Sequence, residues 1–277
     1  MIAEGENAES CVSIGDERGA LAEAKRNRDI AEQKRADAVS LKRSRGETPD
    51  FIEITGTETV DIYVGPEKKL FRIHRGILCD KVPYFQKMFS SGFVEALEGK
   101  VFFPEDSPQS FDLFYGWVYL GTLPTFNCVD GGGESGFNWN PLLLYFLADK
   151  LCLVELMDKS SDIYFEGLAK SGRIPKTEWV EKVYELTPMG SPLRKFMCHS
   201  MYYVFSTLRS ERIEATWTTD GVAMVMKSHP DFAIDFLNLL RSNPVGIAAK
   251  DPTKLPKCDF HCHGKDEPCT QKPKILP

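Results

Sequence analysis

The 277 residues carry 34 Lys and Arg against 40 Asp and Glu, a formal charge of −6, with 42% hydrophobic and 11% aromatic side chains. That is enough apolar material for one substantial core or two smaller ones, while the absence of a clustered basic face argues against direct nucleic-acid binding. The longest apolar run, residues 142–157, is interrupted by Asp149, Lys150 and Glu155, short of the roughly 18 to 20 apolar residues of a membrane span. Glu4, Glu6 and Glu9 stand where a secretory leader needs basic residues. The expectation is a soluble intracellular protein, cytoplasmic and/or nuclear, with Cys11, Cys79, Cys128, Cys152 and Cys198 as free thiols.

Residues 1–50 contain no Phe, Tyr or Trp and are rich in charge, so the segment reads as disordered, because it buries too little apolar surface to offset its ordering entropy. Within it, residues 17–41 are composed of good helix formers and suit a solvated helix. Its apolar positions Leu21, Ala24, Ile30 and Val39 keep no sustained heptad. Aromatic content rises at Phe51, and the β-branched runs 59–64 and 69–73 flank Gly65, Pro66 and Glu67 as a β-hairpin. Two short helices follow at 75–79 and 83–89, then a strand at 101–103. Ser107 before Pro108 predicts the capped start of a helix through Tyr119, ended by Gly121. The glycine-rich stretch 122–139 predicts a mobile surface loop. Asn140 before Pro141 repeats the cap signal and opens a helix to about residue 158, apolar almost all round and hence buried. Residues 158–245 keep a helical pattern, with Trp179, Val180, Val183 and Tyr184 in one segment and Leu193, Phe196, Met197, Met201 and Val204 in the next. A further apolar helix spans 231–240, and residues 246–277 form a Pro/Lys-rich tail.

This order, together with particular residues, resembles the BTB/POZ fold in the version common among fungal BTB proteins. Val60-Asp61-Ile62 looks like the opening strand signature of that family. His74-Arg75, Leu78, Tyr84-Phe85 and Met88-Phe89 are similar to its His-Arg, Leu and aromatic series. Phe93, Glu95, Ala96, Val101, Phe103, the Pro104-Glu105-Asp106 run, Pro108, Phe111, Trp117, Tyr119 and Gly121 continue the match, and residues 145–151 resemble the helix that closes the domain. Val82 departs from the Ser or Thr common there, and the loop at 122–139 is longer than usual. The resemblance implies an α+β BTB/POZ domain over 51–157, a short sheet flanked by helices, followed by an all-helical extension over 158–245.

It also implies an interaction module rather than an enzyme: a protein that forms homodimers or recruits another protein, with no small-molecule substrate. A substrate adaptor for a cullin-type ubiquitin ligase is one alternative, and a transcriptional regulator is another. By the same resemblance, Asp61 and Arg75 match an Asp/Arg pair lining a charged pocket in dimeric members. With His74 they read either as hydrogen-bonded fold determinants or as a peptide-binding site. Most of the aromatic and Met positions 84–89 belong in the core, whereas Phe93 and Leu97 are better candidates for exposed contact. Phe51, Ile52 and Ile54 form an apolar patch suited to pairing with the sheet edge of a second subunit.

The basic runs 25–28 and 42–45 suit either a nuclear import signal or a solvated charged face. No phosphate loop, Gly-x-Ser-x-Gly elbow or His-Glu-x-x-His pair occurs. Cys258, His261, Cys262, His263 and Cys269 crowd into the tail, and Cys258, His261, His263 and Cys269 have the chemistry of a tetrahedral zinc site. The surrounding Lys and Pro residues equally suit a disordered tail. A zinc or thiol hydrolase built on this cluster is the remaining enzyme reading. No other cofactor is expected.

Overall fold

The protein is described here from a computed structural model covering residues 9–91, 97–127, 138–207, 211–243, 248–264 and 269. The chain divides into two compact units, 1–123 and 124–277. Phe93 and most of the glycine-rich loop lie outside the described residues. No helix among those described is long and apolar enough to cross a membrane.

In the first unit a long helix, α1 (Glu9–Ser44), leads to a single helical turn, α2 (Phe51–Thr55). The hairpin follows as β1 (Thr59–Val64) and β2 (Lys69–His74), antiparallel with Thr59 opposite His74 and Val64 opposite Lys69. Gly65 opens the turn at φ +75°, where an added Cβ would also lie 2.9 Å from Pro108 Cγ, so glycine is needed there on both counts. Helices α3 (Arg75–Lys81) and α4 (Pro83–Ser90) come next. Strand β3 (Lys100–Phe103) then pairs in parallel with β1, giving the sheet order β2-β1-β3. Helix α5 (Pro108–Leu120) starts on the Ser107 side chain, which accepts from Gln109 N–H at 3.2 Å, and closes at Gly121.

Strand alternation decides the core. Val60, Ile62, Val64, Phe71, Ile73, Val101 and Phe103 point to one face and are buried, and Phe111 of α5 sits 5.0 Å from Phe71 and 5.7 Å from Phe103, ring centre to ring centre. Phe85 and Phe89 of α4 join them, Phe85 lying 6.1 Å from Phe103. Each such ring contributes about 1.5–3 kcal/mol by leaving water. The other face of the sheet stays outward.

Three expectations are corrected. Residues 51–54, expected as an apolar patch that pairs with a sheet edge, are not extended: Asp50 N–H donates to the Glu53 carboxylate at 2.9 Å and Ile54 N–H to Asp50 O at 3.1 Å, so the segment winds into a helical turn. Residues 1–50 are not disordered where they are described, since α1 is helical and packs on the domain. The stripe that packs is mostly polar: Arg28, Glu32, Arg35, Val39 and Lys42 recur at helical spacing on the buried side, while Ile30 and Leu41 are about half exposed. Arg35 Nη1 donates to Glu53 O at 3.0 Å and Ile54 O at 2.5 Å, capping the carbonyl end of α2, and Arg28 donates to Leu97 O at 2.6 Å. Charged anchors offset the missing aromatics.

The third correction concerns boundaries. In the second unit the helix from residue 141 does not run to 158 but divides into α6 (Pro141–Lys150) and α7 (Val154–Ser171). The Asn140 side chain caps α6 at Leu142 N–H, 3.0 Å, as the sequence suggests. At its other end Cys152 adopts φ +56° and Leu153 N–H reaches back to Ala148 O at 2.8 Å, which turns the chain. A division at 157/158 would therefore fall inside an unbroken helix.

Beyond it lie α8 (Thr177–Leu186), α9 (Pro192–Thr207), α10 (Glu211–Thr216), α11 (Thr219–Ser228) and α12 (Pro230–Ser242). Their core includes Phe165 stacked on Phe196 with centres 3.9 Å apart, and Tyr184 against Phe232 at 5.0 Å. In the tail, short 3-10 turns at Pro252–Lys254 and Lys257–Phe260 bring Phe260, almost wholly buried, edge-on to Phe165 and Phe196. One apolar side chain thus pins a segment that its Lys and Pro content would leave free.

Candidate functional site

A small cleft lies at Arg75, and the side chain pairs there with residues other than Asp61. Arg75 follows β2 directly as the first residue of α3, so its side chain lies against the edge of the core, over the Phe89 ring at 5.4 Å. Its guanidinium pairs with Asp29 of α1 at 2.8 Å and with Glu58 at 3.5 Å. Arg28, Glu58, Thr59, Val60, Arg75, Phe89 and Gly99 line a small cleft here. Arg28 Nε, Glu58 Oε2 and Arg75 Nε are buried in it without a hydrogen-bond partner among the described residues, so its wall offers both donors and an acceptor.

Asp61 does not pair with Arg75. It stands on the outer face of β1 directly opposite Arg72, whose Nε and Nη2 hold its two carboxylate oxygens at 2.7 and 2.9 Å. That bidentate hydrogen bonding keeps the Asp61 carboxyl below the ordinary carboxylate range. Strand alternation is the reason: odd positions of β1 face out, whereas Arg75 has already left the sheet. A double-mutant cycle checks the pairing. Asp61→Asn and Arg72→Gln are expected to couple measurably in chemical denaturation, while Asp61→Asn and Arg75→Gln add independently. Coupling in the second pair but not the first would reverse the assignment.

His74 is held by one residue of α5: its backbone N–H donates to Tyr119 Oη at 3.0 Å, and its Nδ1 lies 2.8 Å from the same oxygen. Tyr115 Oη donates to Arg72 O at 3.3 Å. Two tyrosines one turn apart thereby occupy two of the outer backbone groups of β2, an arrangement visible in sequence only as Tyr115 and Tyr119 at i, i+4. Of the expected apolar patch, Phe51 and Ile52 are exposed and Ile54 is half-buried.

A second set of outward residues was not singled out from sequence. Tyr63 lies between Leu70 and Phe102 across the three strands, its ring stacked on Phe102 with centres 5.0 Å apart. Leu70 and Phe102 are 46% and 54% exposed, too much for core members. Beside this apolar row runs a charged one, Arg72, Asp61 and Lys100. Strict period-two alternation with aromatics on both faces was the available signal.

In the second unit Cys258, His261, His263 and Cys269 converge, their ligand atoms all within 4.8 Å of one another. Asp158 and Asp162, one turn apart on α7 and buried, face this segment: Asp158 accepts from Cys262 N–H at 2.6 Å and Asp162 lies 3.0 Å from His261 Nε2. Sequence reading passed over both carboxylates. Cys262 turns aside, its sulfur 3.4 Å from Tyr145 Oη. Elsewhere burial pushes the thiols of Cys79 and Cys198 up to about 12, so both stay protonated and weakly nucleophilic at neutral pH.

Compared with known protein families, residues 54–163 match the model of the BTB/POZ domain. No curated protein matches the chain.

Proposed function

Residues 54–163 are a BTB/POZ domain, a protein–protein interaction module, and from that premise we propose that this chain associates with a second copy of itself through the outer face of its sheet. The observation that carries the reading is the outward row of Leu70, Tyr63 and Phe102, in which Leu70 and Phe102 are exposed and Tyr63 is half-buried between them. A contiguous apolar row rimmed by charge is the makeup of an interface centre rather than of ordinary surface. Across a two-fold axis such a row meets its own copy, and two sheets pack face to face at about 10 Å.

The surface around Arg75, which by the resemblance lines a charged pocket in dimeric members, is met by α1 of the same chain through Asp29. Strand addition at β2 competes with Tyr115 and Tyr119, which already hold two of its outer backbone groups, Arg72 O and His74 N–H. On the broad outer face no such bond is made among the described residues of the first unit. Recruitment of a different protein, a cullin-type scaffold included, is the rival use of the same row.

Sedimentation equilibrium of the full chain at tens of micromolar is the test. We expect a dimer that Tyr63→Lys and Phe102→Glu each weaken at least tenfold without changing the circular dichroism of the folded chain. A monomeric wild type removes self-association. Capture of a cullin scaffold by wild type but not by Phe102→Glu would then favour recruitment.

A further inference from the structure

The four side chains Cys258, His261, His263 and Cys269 sit as the ligands of a metal ion, and we propose that they form a closed structural zinc site fastening the end of the chain to α7. The distances are the first support. Two nitrogens bound to tetrahedral zinc at 2.0–2.1 Å lie about 3.3 Å apart, and a nitrogen and a thiolate at 2.3 Å lie about 3.6 Å apart. Here His261 Nδ1 is 3.2 Å from His263 Nε2, and Cys269 Sγ is 3.6 Å from His261 Nδ1. The full set, within 4.8 Å, is somewhat wider than the thiolate separation of about 3.8 Å in a closed tetrahedron. Cys258 is the exposed member of the set.

The orientation of the two rings is the second support. His261 presents Nε2 to the Asp162 carboxylate at 3.0 Å, and His263 presents Nδ1 to Gly264 O at 2.9 Å. Both acceptors require N–H donors, so each neutral ring turns its remaining lone pair into the cluster. Two facing lone pairs at 3.2 Å repel unless a cation lies between them. A carboxylate and a carbonyl behind metal-bound histidines are the outer partners that fix tautomer and raise ligand basicity.

Two thiolates and two imidazoles in a tetrahedron select zinc over the hard cations, and four protein ligands leave no open position for a substrate water. The site is therefore structural. Its other attachments explain what it fastens. Phe260 is buried immediately before His261, Cys262 N–H is held by Asp158, and Lys257 reaches Glu166 at 2.6 Å. A ligand at Cys269 carries the anchorage past the last of these contacts.

Full-length protein purified without chelator should contain one zinc per chain by elemental analysis, and cobalt substitution should give the intense visible bands of a tetrahedral thiolate site. Cys258→Ser and Cys269→Ser should lose the metal, whereas Cys262→Ser should keep it. Asp162→Asn should weaken zinc 10- to 100-fold in competition with a chromogenic chelator, a readout that stands if the cysteine variants fail to fold. Chelation should lower the melting temperature and speed amide exchange over residues 257–264. A wild-type chain that purifies without zinc and whose melting ignores both added zinc and chelator would overturn the proposal, as would full zinc content in Cys269→Ser. A proton shared by the two histidines predicts the first of these outcomes: no metal, and no response to chelator.

Discussion

Replacing Arg194 by leucine is expected to destabilise the second unit by about 3–5 kcal/mol, the usual cost of breaking a buried charge network from one side. The side chain is 8% exposed, and its guanidinium serves several acceptors at once. Its Nη1 pairs with Asp231, its Nη2 donates to the carbonyls of Tyr184 and Thr187, and its Nε donates to Thr187 Oγ1 at 3.2 Å. These acceptors belong to the end of α8, the residue following it and the start of α12. Arg194 on α9 therefore ties three helices together. Leucine has similar bulk but no donors, so two carbonyl groups lose their partner and Asp231 its counter-ion. Lysine should recover only part of the loss, because one ammonium cannot reproduce a planar fork aimed at separate acceptors. Urea denaturation gives the magnitude, and hydrogen exchange gives the location: the amides of α8, α9 and α12 should open first, with the sheet of the first unit unaffected. A loss below about 1 kcal/mol would mean that the acceptors find water at little cost.

Gly76→Ala is expected to cost about 1–3 kcal/mol, the range for overpacking a tight contact. An added Cβ would stand 2.4 Å from Thr55 O and 2.7 Å from Arg35 Cζ. The first of these atoms is backbone and cannot swing away, so α2 must lift from α3, taking with it the carbonyls that Arg35 caps. Gly116→Ala in α5 is the control. No neighbouring atom lies within 4 Å of the Cβ it would gain, and it should stabilise by about 0.5–1 kcal/mol, because alanine loses less backbone freedom than glycine in a helix. The same substitution in two helices of one unit thus carries opposite signs. If Gly76→Ala were neutral, α2 and α1 would not be held against α3 as the structure has them. Arg35→Ala should then be neutral as well.

Elements whose signal is local were legible in the sequence. The hairpin around Gly65, the caps at Ser107 and Asn140, the end of α5 at Gly121 and the helices around Trp179 and Phe196 follow from turn chemistry and periodicity, which act over a few residues. So did the ligand types in the tail, since Cys258, His261, His263 and Cys269 lie within twelve residues of one another. Which partner each charged side chain takes was decided elsewhere. Asp61 pairs with Arg72 because strand register sets them opposite, and Arg75 turns to Asp29, 46 residues earlier. The docking of α1 escaped a reading based on apolar periodicity because its buried stripe is carried by Arg28 and Arg35, which donate to backbone carbonyls, with Glu32 accepting from Arg35. The division between α6 and α7 depends on one left-handed residue, Cys152, in a run whose composition favours helix throughout. Composition and periodicity by themselves determined the order of elements and the chemistry available to the chain. Only the tertiary structure decided how charges are matched across distance, because an ion pair is specified by the geometry that brings two side chains together and leaves no periodic trace in the sequence between them.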